Sequence, residues 1–464
     1  MKVFRLAAVA AFAAAPSLLA AQVASDSAHP ITLDEAVRLA QRNSPLTVQA
    51  RGQMRLGGAG VRAAYASFIP RVDVGLSAGH QGGDRIGPSG NIIPYTGRPW
   101  SYGSNWQASV DLFDGGQRFF NLRQQQKTVD AADANETAQR FTVSLNVKQQ
   151  YYNVLAARES EAAARAQLQQ AAQQLRASSA RVAAGAATKS DSLRSVIQVG
   201  NARLALVTAQ NNLNFANAQL TRMVATPFVV TAFASDTMDR PTISLDSAAL
   251  QQYAERGPAV RQAEANLSAA KAAVRASKTP YLPTITASYF RSGNGFDKYF
   301  GRGAATYVCG QTQPTRTQLA QDIECATYVY SDRLSIQLNY PLFNQWTREF
   351  QLTRDQVAED NAEASLRDAR LLAQQTLTQQ IGALRNAEER ISIQEASVAA
   401  AEEDLRVQQQ RYNLGASTLL DVLTSQTQLN QAQAALIQAR YDYRVATAQL
   451  EALVGRDLTM TVPR

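Results

Sequence analysis

Alternating apolar and polar positions mark four short segments of the chain. In the first, Val72, Val74, Leu76 and Ala78 alternate with polar or small residues. Such alternation is typical of a strand, because successive side chains point to opposite faces of a sheet. It predicts strands at about 71–80, 104–113, 283–291 and 332–341. Roughly nine to eleven residues is the length of a tilted strand that crosses a bilayer. A half-buried hairpin of a soluble protein has the same alternation, so both interpretations remain open.

Two much longer segments have a helical pattern. They run from Gln117 to about Val182 and from Thr347 to about Tyr412, without proline and with Gly382 as their one glycine. At 1.5 Å per residue, each predicts a helix of about 100 Å. Each is followed by a reversal and a return helix in which large and small residues recur every seven positions, as in coiled coils. An antiparallel coiled-coil spacer has the same heptads, so the helices alone do not define a function.

Part of the sequence occurs twice. The stretch "RVAAGAATKSDSLRS" at Arg181–Ser195 returns as "RYNLGASTLLDVLTS" at Arg411–Ser425, and over Arg181–Ala225 and Arg411–Gly455 17 of 45 aligned positions are identical. Tandem duplication predicts two pseudo-symmetric halves. The expected domains are a first repeat at 22–224 with its reversal at 181–191, a segment at 225–258, a second repeat at 259–455 with its reversal at 411–421, and a tail at 456–464.

The composition narrows the class of protein. Residues 1–21 begin with Lys2 and Arg5, continue with an apolar run and end in small residues, which predicts a secretory signal peptide. No later apolar run is long enough for a transmembrane helix. The net charge is +8, of which the signal supplies +2, and no basic cluster points to nucleic acid. Neither His29 nor His80 lies near a Cys or a paired carboxylate at metal-ligand spacing. We therefore expect no metal, no cofactor and no enzyme activity.

Four membrane-length strands do not suffice for a closed barrel. The backbone groups at the edges of an open sheet would stay unpaired in lipid, so closure requires other copies of the chain. Four strands per copy give eight in a dimer and twelve in a trimer. An eight-stranded barrel is filled by its own side chains, whereas the Thr, Ser, Gln and Asn face predicted here favours a wetter, twelve-stranded barrel.

The duplicated order of helix, strand, strand, long helix and return helix resembles the TolC-type outer membrane efflux proteins. The resemblance rests on the reversals "RVAAGAATKSDSL" and "RYNLGASTLLDVL" and on Leu-Phe-Asp and Leu-Phe-Asn where strands join helices. It implies a mainly α protein with a transmembrane β part. The implied assembly is a homotrimer, with a twelve-stranded β-barrel in the outer membrane continued by a twelve-helix α-barrel across the periplasm. An equatorial belt would be formed by 225–258 and the tail.

The resemblance also implies a function. Such a protein exports substrates from the periplasm or cytoplasm to the exterior, as the outer component of a tripartite efflux or type I secretion system gated at its periplasmic helical tips. The implied partners are a periplasmic adaptor protein, an inner-membrane pump and outer-membrane lipid. Two other classes stay open from the residues: a periplasmic adaptor, which would have one helical hairpin between β-rich domains, and a structural coiled coil, which would not need the strands.

Both reversals have the residues of a tight turn followed by a helix cap. The glycine of each reversal is expected to turn with positive φ. Thr188 lies three residues before Asp191, and Thr418 and Asp421 repeat this spacing, which is typical of a capping box. The tips that the resemblance implies for adaptor docking comprise Gly185, Ala186, Thr188, Leu414, Gly415, Ala416 and Thr418.

The resemblance places a constriction at the same tips. In the family the second reversal has a tyrosine, an arginine and two acids. Tyr412 and Asp421 match the tyrosine and the first acid, and Asp191 matches an acidic partner on the first reversal. Ser417 replaces the arginine and Thr424 replaces the second acid. Closure is therefore expected to depend on a ring of Asp421 carboxylates that attracts cations, and the closed pore should leak more easily.

Cys309 and Cys325 lie in one long loop of an exported chain, which favours a disulfide between them. In the loop-entropy model it would stabilise the fold by about 3 kcal/mol. A redox or metal pair is the alternative. The long segments 81–103 and 292–331 are expected to face the exterior, where bacterial barrels have their long loops.

Overall fold

The computed structural model describes residues 28–80, 83–93, 100–185, 187–233, 247–295 and 329–458, and this part of the chain is mainly helical. The helices are α1 (Leu33–Asn43), α2 (Pro45–Ala66), α3 (Gln117–Ala183), α4 (Lys189–Val224), α5 (Ser247–Ala254), α6 (Pro258–Ser277), α7 (Thr347–Asn413) and α8 (Leu419–Val454). The strands are β1 (His29–Ile31), β2 (Arg71–His80), β3 (Arg85–Ile86), β4 (Ile92–Ile93), β5 (Trp100–Phe113), β6 (Val230–Ala232), β7 (Thr284–Gly295) and β8 (Val329–Asn339).

The chain forms two compact units. Among the described residues, unit 1 comprises 28–40, 146–233 and Ile391–Tyr441. Unit 2 comprises Gln41–Leu145, Arg240–Arg390 and the chain from Asp442 onward. The long helices α3 and α7 contribute residues to both units, and so does α8.

Unit 2 contains an antiparallel sheet of four described strands in the order β2-β5-β7-β8. Val72, Ala108, Tyr289 and Leu334 lie side by side across it and belong to its apolar face. The other face is polar and hydrogen-bonded between strands: the Ser288 and Ser335 hydroxyls are 2.8 Å apart, and the Thr286 hydroxyl donates to the Asp111 carboxylate at 2.8 Å. In the described part of the chain, β2 and β8 each have one unpaired edge.

Three strands are longer than the alternation predicted, and one of them, β8, runs from Val329 to Asn339 instead of about 332–341. β5 begins at Trp100 instead of about residue 104, and β7 continues to Gly295 instead of ending at about residue 291. The added residues include Tyr102, which is opposite Gly295 in the ladder. Ladder hydrogen bonds use backbone groups, so small and polar residues extend a strand without contributing to its hydrophobic pattern.

The unit 2 helices are neighbours in the order α2–α3–α6–α7. Gly57 of α2 faces Val129 of α3 so closely that an added Cβ would come within 3.0 Å of its side chain. The Gln262 amide of α6 donates to Asn135 of α3 at 2.8 Å. Leu366 of α7 is buried in a hydrophobic cluster with residues of α6.

The unit 1 helices are neighbours in the order α4–α3–α8–α7. The Ser178 hydroxyl of α3 donates to Ser195 of α4 at 3.0 Å. α3 and α8 supply most of the lining of one cavity, to which α4 and α7 add a single glutamine each. Arg440 of α8 forms an ion pair with Glu395 of α7 at 3.5 Å. Within each unit, the two middle helices of the order thus have a neighbour on each side.

The first and last helices of the unit 1 order each have a second, exposed apolar face. On α4 it consists of Leu193, Val196, Ile197, Leu204, Val207 and Phe215. At 100° per residue these fall opposite the buried Ala202 and Leu220. On α7 the exposed residues within unit 1 are Ile393 and Val407, and Val357, Leu371 and Leu372 are exposed on the part of the same helix that belongs to unit 2. Along the described parts of α3 and α8, large exposed hydrophobic residues are limited to Phe119 and Leu420, near the helix starts.

A small parallel strand pair in unit 1 was not predicted from the sequence. β1 pairs with β6, which lies in the predicted 225–258 segment. The Tyr151 hydroxyl of α3 donates to the Ile31 carbonyl at 3.0 Å and accepts from the Phe233 N–H at 3.1 Å. Strands of three residues are too short to show alternation, so side-chain pattern gives no signal for them.

Some predictions fall outside the described residues. These are the signal peptide at 1–21, the tip residue Ala186, and the disulfide between Cys309 and Cys325. Among the helices of the described chain, none has the length and hydropathy for a membrane span. Over the same residues, no group of His, Cys, Asp and Glu side chains has the arrangement of a metal site.

Candidate functional site

Two helical reversals in unit 1 contain the residues singled out by the sequence. α3 ends at Ala183 and α7 at Asn413, and the turn in each case passes through a glycine two residues later. Gly185 has φ of 70° and Gly415 has φ of 75°. This left-handed region is open to glycine but unfavourable for residues with a Cβ, which explains why each turn contains one.

The first reversal ends in a capping box that starts α4. The Asp191 N–H donates to the Thr188 hydroxyl at 3.3 Å, and the Asp191 carboxylate accepts from the Thr188 N–H at 3.1 Å and from its hydroxyl at 2.8 Å. The box thereby satisfies two of the N–H donors that have no partner within the helix at its start. The hydrogen bonds of the Asp191 carboxylate are thus made to Thr188, within its own reversal.

The second reversal has the same cap with one more donor. A single carboxylate oxygen of Asp421 accepts from the Thr418 N–H at 2.8 Å, the Thr418 hydroxyl at 2.7 Å and the Ser417 hydroxyl at 2.9 Å. The Thr418 N–H is the main cause that holds the pKa of Asp421 below its ordinary value of 3.8, with the two hydroxyls next. These donors bind the charged form of the carboxylate and therefore favour it.

A contact between the two reversals, which we call the Arg181 link, joins α3 to the end of α7. The Arg181 guanidinium donates to the Asn413 side-chain oxygen at 2.7 Å. Its central carbon lies 4.7 Å from the centroid of the Tyr412 ring, within the range of a cation–π interaction. The link connects an arginine to two neutral partners.

Tyr412 is held in place by apolar packing. Its side chain packs against a buried cluster of Leu405, Val422 and Leu429, contributed by α7 and α8. The Tyr412 hydroxyl is buried and has no hydrogen-bond partner among the described residues. The ring therefore has a fixed position from which it contacts Arg181.

Of the five predicted constriction residues, the structure joins two directly. Ser417 donates to Asp421 at the second reversal, and Tyr412 packs nearby in the apolar cluster that includes Val422. Asp191 bonds to its own cap, and the Thr424 hydroxyl donates at 2.9 Å to a carbonyl of its own helix. The described residues predicted to dock an adaptor are exposed: Gly185, Thr188, Leu414, Gly415, Ala416 and Thr418.

Arg181 and Asn413 were missed as site residues from the sequence. Arg181 is the first residue of the duplicated motif and recurs as Arg411, which is the one signal that could have drawn attention to it. Its partners lie on the other reversal, so sequence spacing within either motif does not show the contact.

Duplicated long helical hairpins and a four-stranded sheet with one apolar and one polar face are the features that the TolC-type resemblance implies. The sequence model of the outer membrane efflux protein family matches residues 36–226 and 249–456, and the chain belongs to this family. The TolC-type resemblance is thereby confirmed, and so is the outer-membrane location. Members of the family are channels of tripartite efflux systems, not enzymes.

Individual relatives agree with this assignment. The pyoverdine export outer membrane protein OpmQ of Pseudomonas aeruginosa is 24% identical over 433 residues, covering 91% of this chain and 83% of OpmQ. Outer membrane protein TolC of Escherichia coli is 22% identical over 85% of this chain and 76% of TolC. The open-state MtrE outer membrane channel of Neisseria gonorrhoeae superimposes with a TM-score of 0.71 at 18% identity, over 92% of this chain and 89% of MtrE, which shows the shared fold.

Proposed function

We propose that the chain is one of three identical subunits of a channel-tunnel in the outer membrane. The assembly would export substrates from the periplasm or cytoplasm as the outer component of a tripartite efflux system. One observation carries the proposal. In the described chain, the outer strands of the sheet have unpaired edges, and the outer helices α4 and α7 have exposed apolar faces.

The sheet supports closure with other copies. Its unpaired edges are β2 and β8, and its apolar face includes Leu334, Ile336 and Leu338, exposed by 74%, 69% and 66%. In lipid, an unpaired edge leaves backbone donors and acceptors without partners, which closure removes. Three copies of the four-stranded sheet would give a twelve-stranded barrel, with the apolar face toward lipid and the hydrogen-bonded polar face toward the lumen.

The helices support the same symmetry. The exposed apolar face of α4 in one copy would pack against that of α7 in the next, which makes a twelve-helix barrel from three copies. The outer helices of one subunit are expected to have apolar residues on two opposite faces, one for the neighbouring helix of the same chain and one for the next copy. In this arrangement, 225–258 and the tail at 456–464 belong to the equatorial belt between two repeats at 22–224 and 259–455.

The exposed reversals are proposed as the adaptor-docking tips. Six of them would surround the periplasmic mouth of a trimer, with Leu414 exposed by 84% at the turn of the second reversal. An adaptor would bind there and connect the channel to an inner-membrane pump. Efflux is supported by the family and by OpmQ, which is named for pyoverdine export. Type I secretion would require a pump of another class.

We further propose that the same tips gate the pore. The residues assigned to the constriction are Tyr412, Asp421, Asp191, Ser417 and Thr424, to which we add Arg181 as the residue that holds the reversals of one subunit together. Because the Arg181 link tethers the second reversal to the first, separating them would require breaking it. A ring of Asp421 carboxylates would favour cations at the mouth.

Two measurements test the channel. After extraction of outer membranes in mild detergent, chemical crosslinking of the protein should give products of up to three chains and none larger. The purified protein should conduct ions in planar bilayers. A periplasmic monomer that appears without detergent and forms no pores would contradict the proposal.

The exported class is tested in the living cell. A deletion strain should become sensitive to small toxic compounds while its secreted proteins stay unchanged, if efflux is the main role. Loss of a secreted protein with unaltered drug and metal tolerance would instead assign the chain to type I secretion.

A further inference from the structure

A cleft in unit 2, which we call the basic groove, combines cationic side chains with an apolar wall. It lies between α3, α6 and α7 and has a volume of about 320 Å³. Its cationic lining comprises Arg123, Lys127, Lys271 and Arg275, and Glu264 is its one carboxylate.

Most of this positive charge is not neutralised within the chain. The Glu264 carboxylate pairs with Arg370 at 2.8 Å, and Lys127 pairs with Asp130 at 2.9 Å. Arg123, Lys271 and Arg275 form no ion pair with any residue of the described chain. The sequence contributes to this imbalance, since no Asp or Glu occurs between Glu264 and residue 297.

The groove lies on the helices that directly precede or follow two membrane-length strands. Arg123 is six residues after the start of α3, which follows β5, and Lys271 is six residues before the end of α6, which precedes β7. At 1.5 Å per residue, both are about 9 Å from these helix ends. β5 and β7 are paired, so the two helix ends meet at one place below the sheet.

This position is within side-chain reach of a phospholipid headgroup layer, because Arg275 lies two residues, or about 3 Å, from the end of α6. If the strands span the hydrocarbon core, the adjoining headgroup region occupies roughly 5–8 Å on each side. Arginine and lysine side chains extend their charged ends over such distances while their stems stay on apolar surface.

We propose that the basic groove binds the phosphate of an anionic phospholipid in the leaflet that faces the periplasm. This inference rests on the proposed membrane barrel. Arg123 and Arg275 donate to the phosphate oxygens in the planar geometry that guanidinium groups offer, and Lys271 adds a point charge. The lipid would attach the helices to the membrane at the point where the strands leave it.

Native mass spectrometry of the full-length protein in detergent tests the inference, with phosphatidylglycerol or phosphatidylcholine added. We expect phosphatidylglycerol to remain bound at one molecule per subunit, and phosphatidylcholine to be lost. The double variant Lys271→Gln with Arg275→Gln should weaken phosphatidylglycerol binding by about tenfold or more. The matched control, Arg256→Gln with Arg261→Gln, removes the same charge before and at the start of α6, outside the groove, and should bind as the wild type does.

Three outcomes would overturn the inference. The first is equal phosphatidylglycerol binding by the groove variant and the wild type. The second is displacement of the lipid by millimolar inorganic phosphate, which would assign the groove to free anions. The third is a groove variant with unchanged lipid binding but altered ion selectivity in phosphatidylcholine bilayers, which would place the cations in the pore. Trimer formation and conductance of the same wild-type sample separate failure of this inference from failure of the channel itself.

Discussion

Arg181 joins the two reversals through an aromatic ring and an amide instead of a carboxylate. An ion pair between tips weakens as salt screens it, whereas contacts with neutral partners depend less on ionic strength. We propose that Arg181, on the first reversal, takes over the role of the family arginine that Ser417 replaces; a comparison position by position does not reveal this contact. The sequence-based expectation of a leaky closed state considered the loss at Ser417 but not this contact.

Arg181→Gln should loosen the closed state. The cation–π contact contributes about 0.5–1 kcal/mol at an exposed site, and the charge-assisted hydrogen bond adds to it. Losing about 1 kcal/mol shifts an equilibrium roughly fivefold, so closed-state conductance in planar bilayers should rise several-fold. Arg194→Gln, which removes an exposed arginine without an ion pair in the described chain, should leave conductance unchanged. Equal tightness of Arg181→Gln and wild type would show that the link does not hold the tips.

Asp421 makes the start of α8 sensitive to acid. Its pKa lies below the ordinary 3.8 because donors of Thr418 and Ser417 bind the carboxylate. A depressed pKa stabilises the folded tip above the ordinary value, and this stabilisation is lost as the pH falls through the lowered value. Hydrogen exchange of the first turn of α8, corrected for intrinsic rates, should therefore accelerate below about pH 4. Asp421→Asn should remove this pH dependence, and identical profiles for both proteins would refute it.

At the scale of elements, the sequence predicted the long helices and four strands because their patterns extend over many residues. The helical pattern from Gln117 to about Val182 corresponds to α3, which ends at Ala183. The caps at Thr188 and Thr418 were also visible, since they depend on spacing within one turn. β1 and β6 could not be predicted, because three-residue strands have no pattern of their own. The Arg181 link could not be predicted either, because it joins segments that are distant in the sequence.

The two faces of β8 provide a matched test of the sheet. Ile336 lies on the apolar face and Gln337 on the opposite, polar one. Ile336→Arg places a charge toward lipid and should cost about 2–4 kcal/mol near the bilayer midplane. Gln337→Arg places the same charge toward the lumen and should be tolerated. Urea titration of protein folded in lipid vesicles compares the two, and equal stabilities would contradict a barrel with the apolar face outward.

At the scale of the whole molecule, assembly depends on the exposed face of α4. Leu204→Asp introduces a charge into the surface proposed to pack against α7 of the next copy, where an unpaired carboxylate is costly. Crosslinking of the detergent-extracted variant should give single chains in place of trimers. Gln210→Asp adds the same charge on another exposed face of α4 and should still give trimers. A trimeric Leu204→Asp protein would move the interface elsewhere.

The helix order α4–α3–α8–α7 has a consequence for the duplicated gene. The junction between α3 and α8 lies inside one chain and forms whenever that chain folds, independent of concentration. The junction between α4 and α7 would form only when copies meet. Six unfused half-length chains would have to use one kind of junction for both purposes, so a mutation that eased opening would also impair association. In the fused chain, opening and association can depend on different junctions. Mutations at one junction can then ease opening without impairing association.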